Sequence, residues 1–271
     1  MINVCERLKS PAIIATSEAA IDYAGIPFLV SMFQTFAKNA KSSYAFHLDH
    51  GKDLKTIKRC IDSGYTSVMI DASHEDFKKN IQLTKKVVQW AKKKNVSVEA
   101  EIGTIGGKED YVKGNIQYTN PSQASEFIKK SGCDSLAIAI GTSHGAYKFP
   151  GKSHLNIEIL KSVKKQVKIP LVLHGASGVI PEVVKKANKY GAKIKEAHGV
   201  SNSDIKNAVR NGINKINIDT DLRIAFNAGI REYLAKNPSD FDYRKILSAG
   251  RAEMEKVVKQ KILIFRCRNK G

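Results

Sequence analysis

The sequence predicts an α/β protein built as a (β/α)8 TIM barrel. Two observations carry that prediction. Short, apolar, β-rich runs alternate with longer amphipathic stretches along the 271-residue chain, the pattern of a parallel sheet joined by helical crossovers. Three of the runs also stop in a His-Gly pair, at His50-Gly51, His144-Gly145 and His174-Gly175. Barrels of this kind deliver their chemistry at the C-terminal ends of the strands.

Taken in order, Met1–Lys9 reads as the back half of a helix leading into a strand at Ala12–Ser17. The next strand, Tyr44–Asp49, opens the stretch YAFHLDHGK and ends among His47, Asp49 and His50. Ser67–Asp71, Ser97–Ile102, Ser135–Ile140, Leu171–His174 and Lys215–Asp219 follow, each apolar enough to be buried on both faces. Helical patterns fill the intervals at Leu54–Ser63, Asp76–Asn95, Gln123–Ser131, Ile157–Val167 and Ser203–Gly212. In the second of these, Ile81, Leu83, Val87, Val88 and Ala91 recur at helical spacing. Residues 221–271 read as C-terminal helices with a break at Asn237–Asp242. No linker or low-complexity segment divides the chain, so one domain over residues 1–271 is expected. The count is seven strands, whereas a closed barrel needs eight. Because only helices follow the last strand, the expectation is that strand 1 and part of helix 1 are missing ahead of Met1. That leaves unpaired backbone along Ala12–Ser17 and Lys215–Asp219.

Composition excludes several classes. The formal net charge is +19, but the lysines fall in pairs and triplets on amphipathic stretches, without interleaved aromatics or a nucleic-acid motif. They read as solvated helix faces, and no nucleic-acid partner is expected. No apolar stretch is long enough to span a membrane, and the N-terminus lacks the apolar core of a signal peptide. Cys5, Cys60, Cys133 and Cys267 are far apart and form no CxxC pair, so reduced thiols in a cytoplasmic protein are expected.

The chemistry concentrates at strand ends. Most single histidines are hydrogen-bonded or surface residues, the reading given to His47, His74, His154 and His198. His50, His144 and His174 stand apart because each ends a strand. Three protein ligands and an open fourth position make a catalytic zinc site. Asp49 beside His50 is either an acid/base group or an orienting partner for a ligand. Strict strand alternation would send the two to opposite faces, so acid/base work requires the strand to end at about Asp49. Asp71 and Glu101, two carboxylates in a buried barrel mouth, would repel unless a cation lay between them. The helix carrying Arg251, Glu253 and Glu255 reads as solvated.

The motifs HLDHG, SVMIDASH, EAEIGTIGGKED, IGTSHGAYKF, LVLHGASG and KINIDTDLR, in that order, resemble the class II, zinc-dependent fructose-bisphosphate aldolases over about Met1 to Lys261. The resemblance implies cleavage of fructose 1,6-bisphosphate to dihydroxyacetone phosphate and glyceraldehyde 3-phosphate by a homodimer or larger homo-oligomer. It implies that His50, His144 and His174 bind the catalytic zinc and that Asp49 is the proton donor. Asp71 and Glu101 then hold a second or displaced metal position, and Glu109 in the Gly106–Asp110 loop exchanges the substrate's carbon proton. Ser17 matches a phosphate-contacting serine. Gly145, Gly175, Ala176, Ser177, Asn217, Ile218, Asp219 and Thr220 match the ketose-phosphate site, and a monovalent cation is allowed for beside the zinc. Elementary chemistry agrees. Carbon–carbon cleavage beside a carbonyl develops negative charge that a Lewis acid stabilises, and loops after the last strands of barrels commonly bind phosphate. The chain departs from the family pattern at Lys108, where an acid is common, and in the tail Phe265–Gly271.

Other readings stay open on sequence alone. Tagatose 1,6-bisphosphate is an alternative substrate. A three-histidine zinc could instead activate water for hydrolysis. A truncated, poorly active barrel or a basic scaffold is the non-catalytic alternative.

Overall fold

The computed structural model describes residues 1–109, 112–114, 117–145, 154–195 and 198–271, with the backbone alone for residues 106–109 and 112–114. The elements run α1 (Ile2–Leu8), β1 (Ala12–Thr16), α2 (Glu18–Ala24), α3 (Ile26–Ala37), β2 (Tyr44–Gly51), α4 (Leu54–Ser63) and β3 (Ser67–Ile70). Then come α5 (Phe77–Lys92), β4 (Ser97–Ile102), β5 (Gly106–Glu109), β6 (Val112–Gly114), α6 (Pro121–Ser131), β7 (Ser135–Ile138) and β8 (Ser143–His144). The chain finishes with α7 (Ile157–Gln166), β9 (Leu171–Leu173), α8 (Pro181–Lys189), α9 (Asn202–Arg210), β10 (Ile213–Ile216), α10 (Thr220–Lys236) and α11 (Tyr243–Phe265).

Seven strands form one parallel sheet in the order β1-β2-β3-β4-β7-β9-β10. Among the described residues β1 and β10 are its two edges, as the strand count required. A smaller sheet, β6-β5-β8, stands over the C-terminal ends and includes His144. The apolar core lies between the large sheet and the helices, with Leu48, Ile57, Val68, Leu136, Leu160 and Leu173 fully buried. The helices start where the sequence supplies caps. Asp53 accepts from Lys55 and Thr56 N–H, Asp76 from Lys79, Asn156 from Ile159 and Ser201 from Asp204. Asn120 caps α6 with Pro121 in its first turn. No helix among the described residues is long and apolar enough to cross a membrane.

Several expected boundaries move. The strand at Lys215–Asp219 is instead Ile213–Ile216, because Asp219 leaves the ladder to cap α10. Asp71, Ser17, His174 and Ile140 likewise lie just beyond their strands. The chain breaks between Lys236 and Tyr243, as the Asn237–Asp242 reading required. One helical region was not expected, α2 with α3. Along residues 26–33 of α3 nearly every position is apolar, so no single face announces the helix. Residues 253 and 255 are not freely solvated. Glu253 lies 2.9 Å from Lys186 and Glu255 lies 2.8 Å from Arg7, while Arg251 is exposed.

Candidate active site

The site begins with a defect in β2. The register against β3 shifts between Leu48 and Gly51, and His50 takes a left-handed φ of 47°. A bulge adds a residue and re-aims the side chains beside it, so Asp49 and His50 both line the same cavity. Histidine tolerates this backbone region better than most residues. Gly51 then passes where a side chain would not fit, since a Cβ there would lie 2.7 Å from the Met69 carbonyl oxygen.

Two more strand ends complete the cluster. His174 follows β9, and Gly175 after it has a φ of 59°. A Cβ at Gly175 would fall 2.7 Å from the Ser143 carbonyl oxygen, so this glycine lets the β9 loop lie directly against β8. The ligand-capable atoms of His50, His144 and His174 all lie within 4.8 Å of one another. His50 Nε2 and His174 Nδ1 face each other at 2.7 Å.

Each of these two rings has a carboxylate on its other nitrogen. His50 Nδ1 lies 2.8 Å from Asp71, and His174 Nε2 lies 2.7 Å from Glu99. Such outer carboxylates orient histidine ligands and raise their basicity. Burial opposes charge on His50, but Asp49, the Asp71 hydrogen bond and Glu101 outweigh it and push its pKa up to about 9. Burial also opposes charge on Asp71, and the bond to His50 overcomes it, holding that carboxyl well below the usual range. Burial, then Asp71, pushes Glu101 well up. Burial, then His50, keeps His174 neutral, and burial with Lys215 does the same for His47.

Glu101 Oε2 is buried and has no hydrogen-bond partner among the described residues. With His50 and Asp71 it forms a second group of donors within 4.8 Å. An orphaned buried carboxylate oxygen beside converging imidazoles is what a cation-binding centre leaves behind when its cation is left out. The donor set therefore fits a metal ion.

The cavity of about 780 Å³ is bounded on one side by these groups and on the other by the loops after β9 and β10. Ser17, Gly175, Ser177, Asn217, Ile218 and Asp219 reach it. Ala176 and Thr220 are buried beside it, and Gly145 supports the turn after β8 with a φ of 83°. The Ser17 hydroxyl caps α2 by accepting from Ala20 N–H at 3.3 Å. Asn217 donates to Asp49 at 2.8 Å. Asp71 and Glu101 sit behind His50 rather than on the cavity wall. The side chain of Glu109 lies outside the described residues.

The sequence model of the class-II fructose-bisphosphate aldolases matches residues 1–270. The chain belongs to that family. Fructose-bisphosphate aldolase of Thermus caldophilus is 45% identical over 268 residues, covering 98% of this chain and 88% of the relative. The enzyme of that name from Giardia intestinalis is 42% identical over 262 residues, covering 96% and 81%. Among solved structures, the YdjI aldolase from Escherichia coli K12 superposes with a TM-score of 0.77 at 32% identity, covering 99% of this chain and 86% of that one.

The aldolase also has site residues that the sequence reading passed over. Glu99 lies against His174 and pairs with Lys215, and Lys215 and Arg223 line the cavity, the Arg223 guanidinium 2.7 Å from Asp219. The first two carried a signal. Glu99 is two residues from Glu101 and Lys215 two from Asn217, the spacing that puts strand residues on one face.

Proposed function

We propose that this class II aldolase cleaves fructose 1,6-bisphosphate to dihydroxyacetone phosphate and glyceraldehyde 3-phosphate, with zinc held by His50, His144 and His174. The observation that carries the proposal is the convergence of the three imidazoles beside Asp49 at one cavity wall. Zinc bound there supplies a Lewis acid for the carbonyl and hydroxyl oxygens of the sugar. The remaining steps belong to the chain's own residues. The Asp49 carboxylate, oriented by Asn217, takes the proton from the hydroxyl that becomes the aldehyde oxygen as the carbon–carbon bond breaks. The bonding electron pair stays on the dihydroxyacetone phosphate fragment, and Glu109 delivers the proton to its carbon. Support for Glu109 is the match of its loop, together with the pairing of β5 against β8, which sets Gly107 opposite His144.

Ser17, Gly145, Gly175–Ser177 and Asn217–Thr220 bind the phosphorylated sugar, a reading supported by the loops after β9 and β10 meeting at the cavity and by the start of α10 there. Asp71 and Glu101 offer a second position for the metal. The sheet is read as a (β/α)8 barrel with room for one more strand between β1 and β10, since both edges line the cavity. A cytoplasmic homodimer or larger assembly completes the proposal, with Phe28 72% and Met32 62% exposed on α3 as apolar surface for contact.

The test is a coupled assay of triose formation from fructose 1,6-bisphosphate, with and without chelator. Activity lost to chelator and restored by zinc supports the reading. Cleavage of tagatose 1,6-bisphosphate alone would replace the substrate, and release of inorganic phosphate without triose would replace the reaction.

A further inference from the structure

Beneath the three histidines, on the side of the sheet facing away from the helices, lies a buried charged cluster that the aldol steps do not use. Glu99 from β4 is 2% exposed. Its Oε1 lies 2.7 Å from His174 Nε2, and its Oε2 lies 2.8 Å from the ammonium of Lys215 in β10. Lys215 is also 3.4 Å from His47 Nε2, and His47 Nδ1 is 2.8 Å from the Ser67 hydroxyl. The cluster therefore reaches across the sheet from β2 and β4 to β10, past the intervening β7 and β9.

Charge buried this deeply is weak evidence of stabilisation, because desolvation takes back most of what pairing gains. Its geometry is informative instead. A neutral imidazole has one N–H and one lone pair, and the hydrogen bond at one nitrogen decides which is which. A carboxylate only accepts, so Glu99 places the proton on Nε2. The lone pair is then on Nδ1, the atom that faces His50 in the ligand cluster. Lys215 occupies the other carboxylate oxygen and leaves Glu99 no alternative orientation. His47, Asp49 and Glu99 have the makings of a cation site, with donor atoms within 4.8 Å. The Lys215 ammonium already stands there, against Glu99 and His47.

We propose that Glu99 and Lys215 are positioning residues for His174, fixing its tautomer and ring orientation through the nitrogen that faces away from His50. The proposal rests on the reading of His174 as a metal ligand. It is tested in the full chain with Glu99→Gln, Lys215→Met, the double variant that leaves no buried charge unpaired, and His174→Ala as control. Zinc affinity is read by competition with a chromogenic chelator, and the His174 tautomer by imidazole nitrogen NMR. The expected result is a loss of zinc affinity of about 10- to 100-fold in the single variants. His174→Ala should lose more, and the zinc-loaded parent should show the Nε2–H tautomer. Unchanged zinc affinity in all three Glu99 and Lys215 variants, with His174→Ala impaired, overturns the positioning role and leaves the ligand reading intact. Unchanged affinity in His174→Ala overturns both. The tautomer measurement needs no variant, and an Nδ1–H tautomer in the zinc-loaded parent overturns the proposal whatever the variants' folding.

Discussion

The ammonium of Lys261, near the end of α11, lies 2.6 Å from the carboxylate of Asp221 at the start of α10, with both side chains buried. The same carboxylate accepts the N–H groups of Gly178 at 2.9 Å and Val179 at 2.7 Å. One acid thus ties the loop after β9 to the C-terminal helix. Lys261→Met leaves that charge buried with only its two amide partners. Breaking a buried pair costs about 3–5 kcal/mol, and the retained amides place this variant at the lower end. The expected outcome is a lower urea midpoint with unchanged slope, and a KM for the sugar bisphosphate that rises more than kcat falls. An unchanged midpoint would show that α11 does not hold the loop.

Gly175→Ala tests the close approach of two loops. Its added Cβ would meet backbone, 2.7 Å from Ser143 O and 2.9 Å from Ser143 C, at a φ that disfavours a side chain. Backbone cannot swing away as a side chain can. The substitution should cost about 1–3 kcal/mol and spread His144 from His174, which flank the contact. Zinc titration of the variant should show weakened binding; parental affinity at parental stability would refute the argument.

The sequence made the alternation of strands and helices legible because the central strands are buried on both faces and read as continuous apolar runs. It could not show how Asp49 and His50 come to share a cavity. The alternation rule separates them, and only the bulge before Gly51 with a left-handed His50 joins them. Glu99 and Lys215 were hidden for a different reason. Each looks like a polar interruption of a strand, and its partner is far away in sequence, so pairing is visible only once β4 and β10 share a sheet. Ser17 illustrates a third limit, since one hydroxyl both caps α2 and lines the cavity.

Asp49 separates acid/base work from ligand orientation. Its carboxylate touches Asn217 at 2.8 Å, whereas the carboxylates on the far nitrogens of His50 and His174 are Asp71 and Glu99. Asp49→Ala should therefore lower turnover by about 10²- to 10⁴-fold while zinc stays bound, as metal analysis of the purified variant would record. Loss of zinc would assign Asp49 to holding the site together instead.

The metal-free protein should lose stability as pH climbs above the ordinary histidine pKa of 6.5, and four groups shape its pH dependence. His50 is raised to about 9, so its contribution is complete below 6.5 and is lost as pH climbs to that value. His47 and His174 are depressed, so the unfolded chain gains protons below 6.5 that the folded chain refuses, and stability falls on acidification. Glu101 is raised above 4.5, and its contribution declines as pH rises from there. Below 6.5 the two imidazoles and the Glu101 carboxyl act in opposite directions; above 6.5 His50 pulls stability down as pH climbs toward 9. Zinc changes the alkaline limb, because a ligand imidazole must be unprotonated. Loading at neutral pH should release the His50 proton, seen as a buffer-dependent enthalpy in calorimetry, and remove that residue's part of the decline toward 9. Thermal unfolding followed from about pH 5 to 9 with chelator present makes the test. A metal-free midpoint still rising on the alkaline side would mean that His50 is neutral in the folded protein and that its carboxylate neighbours do not hold a proton on it.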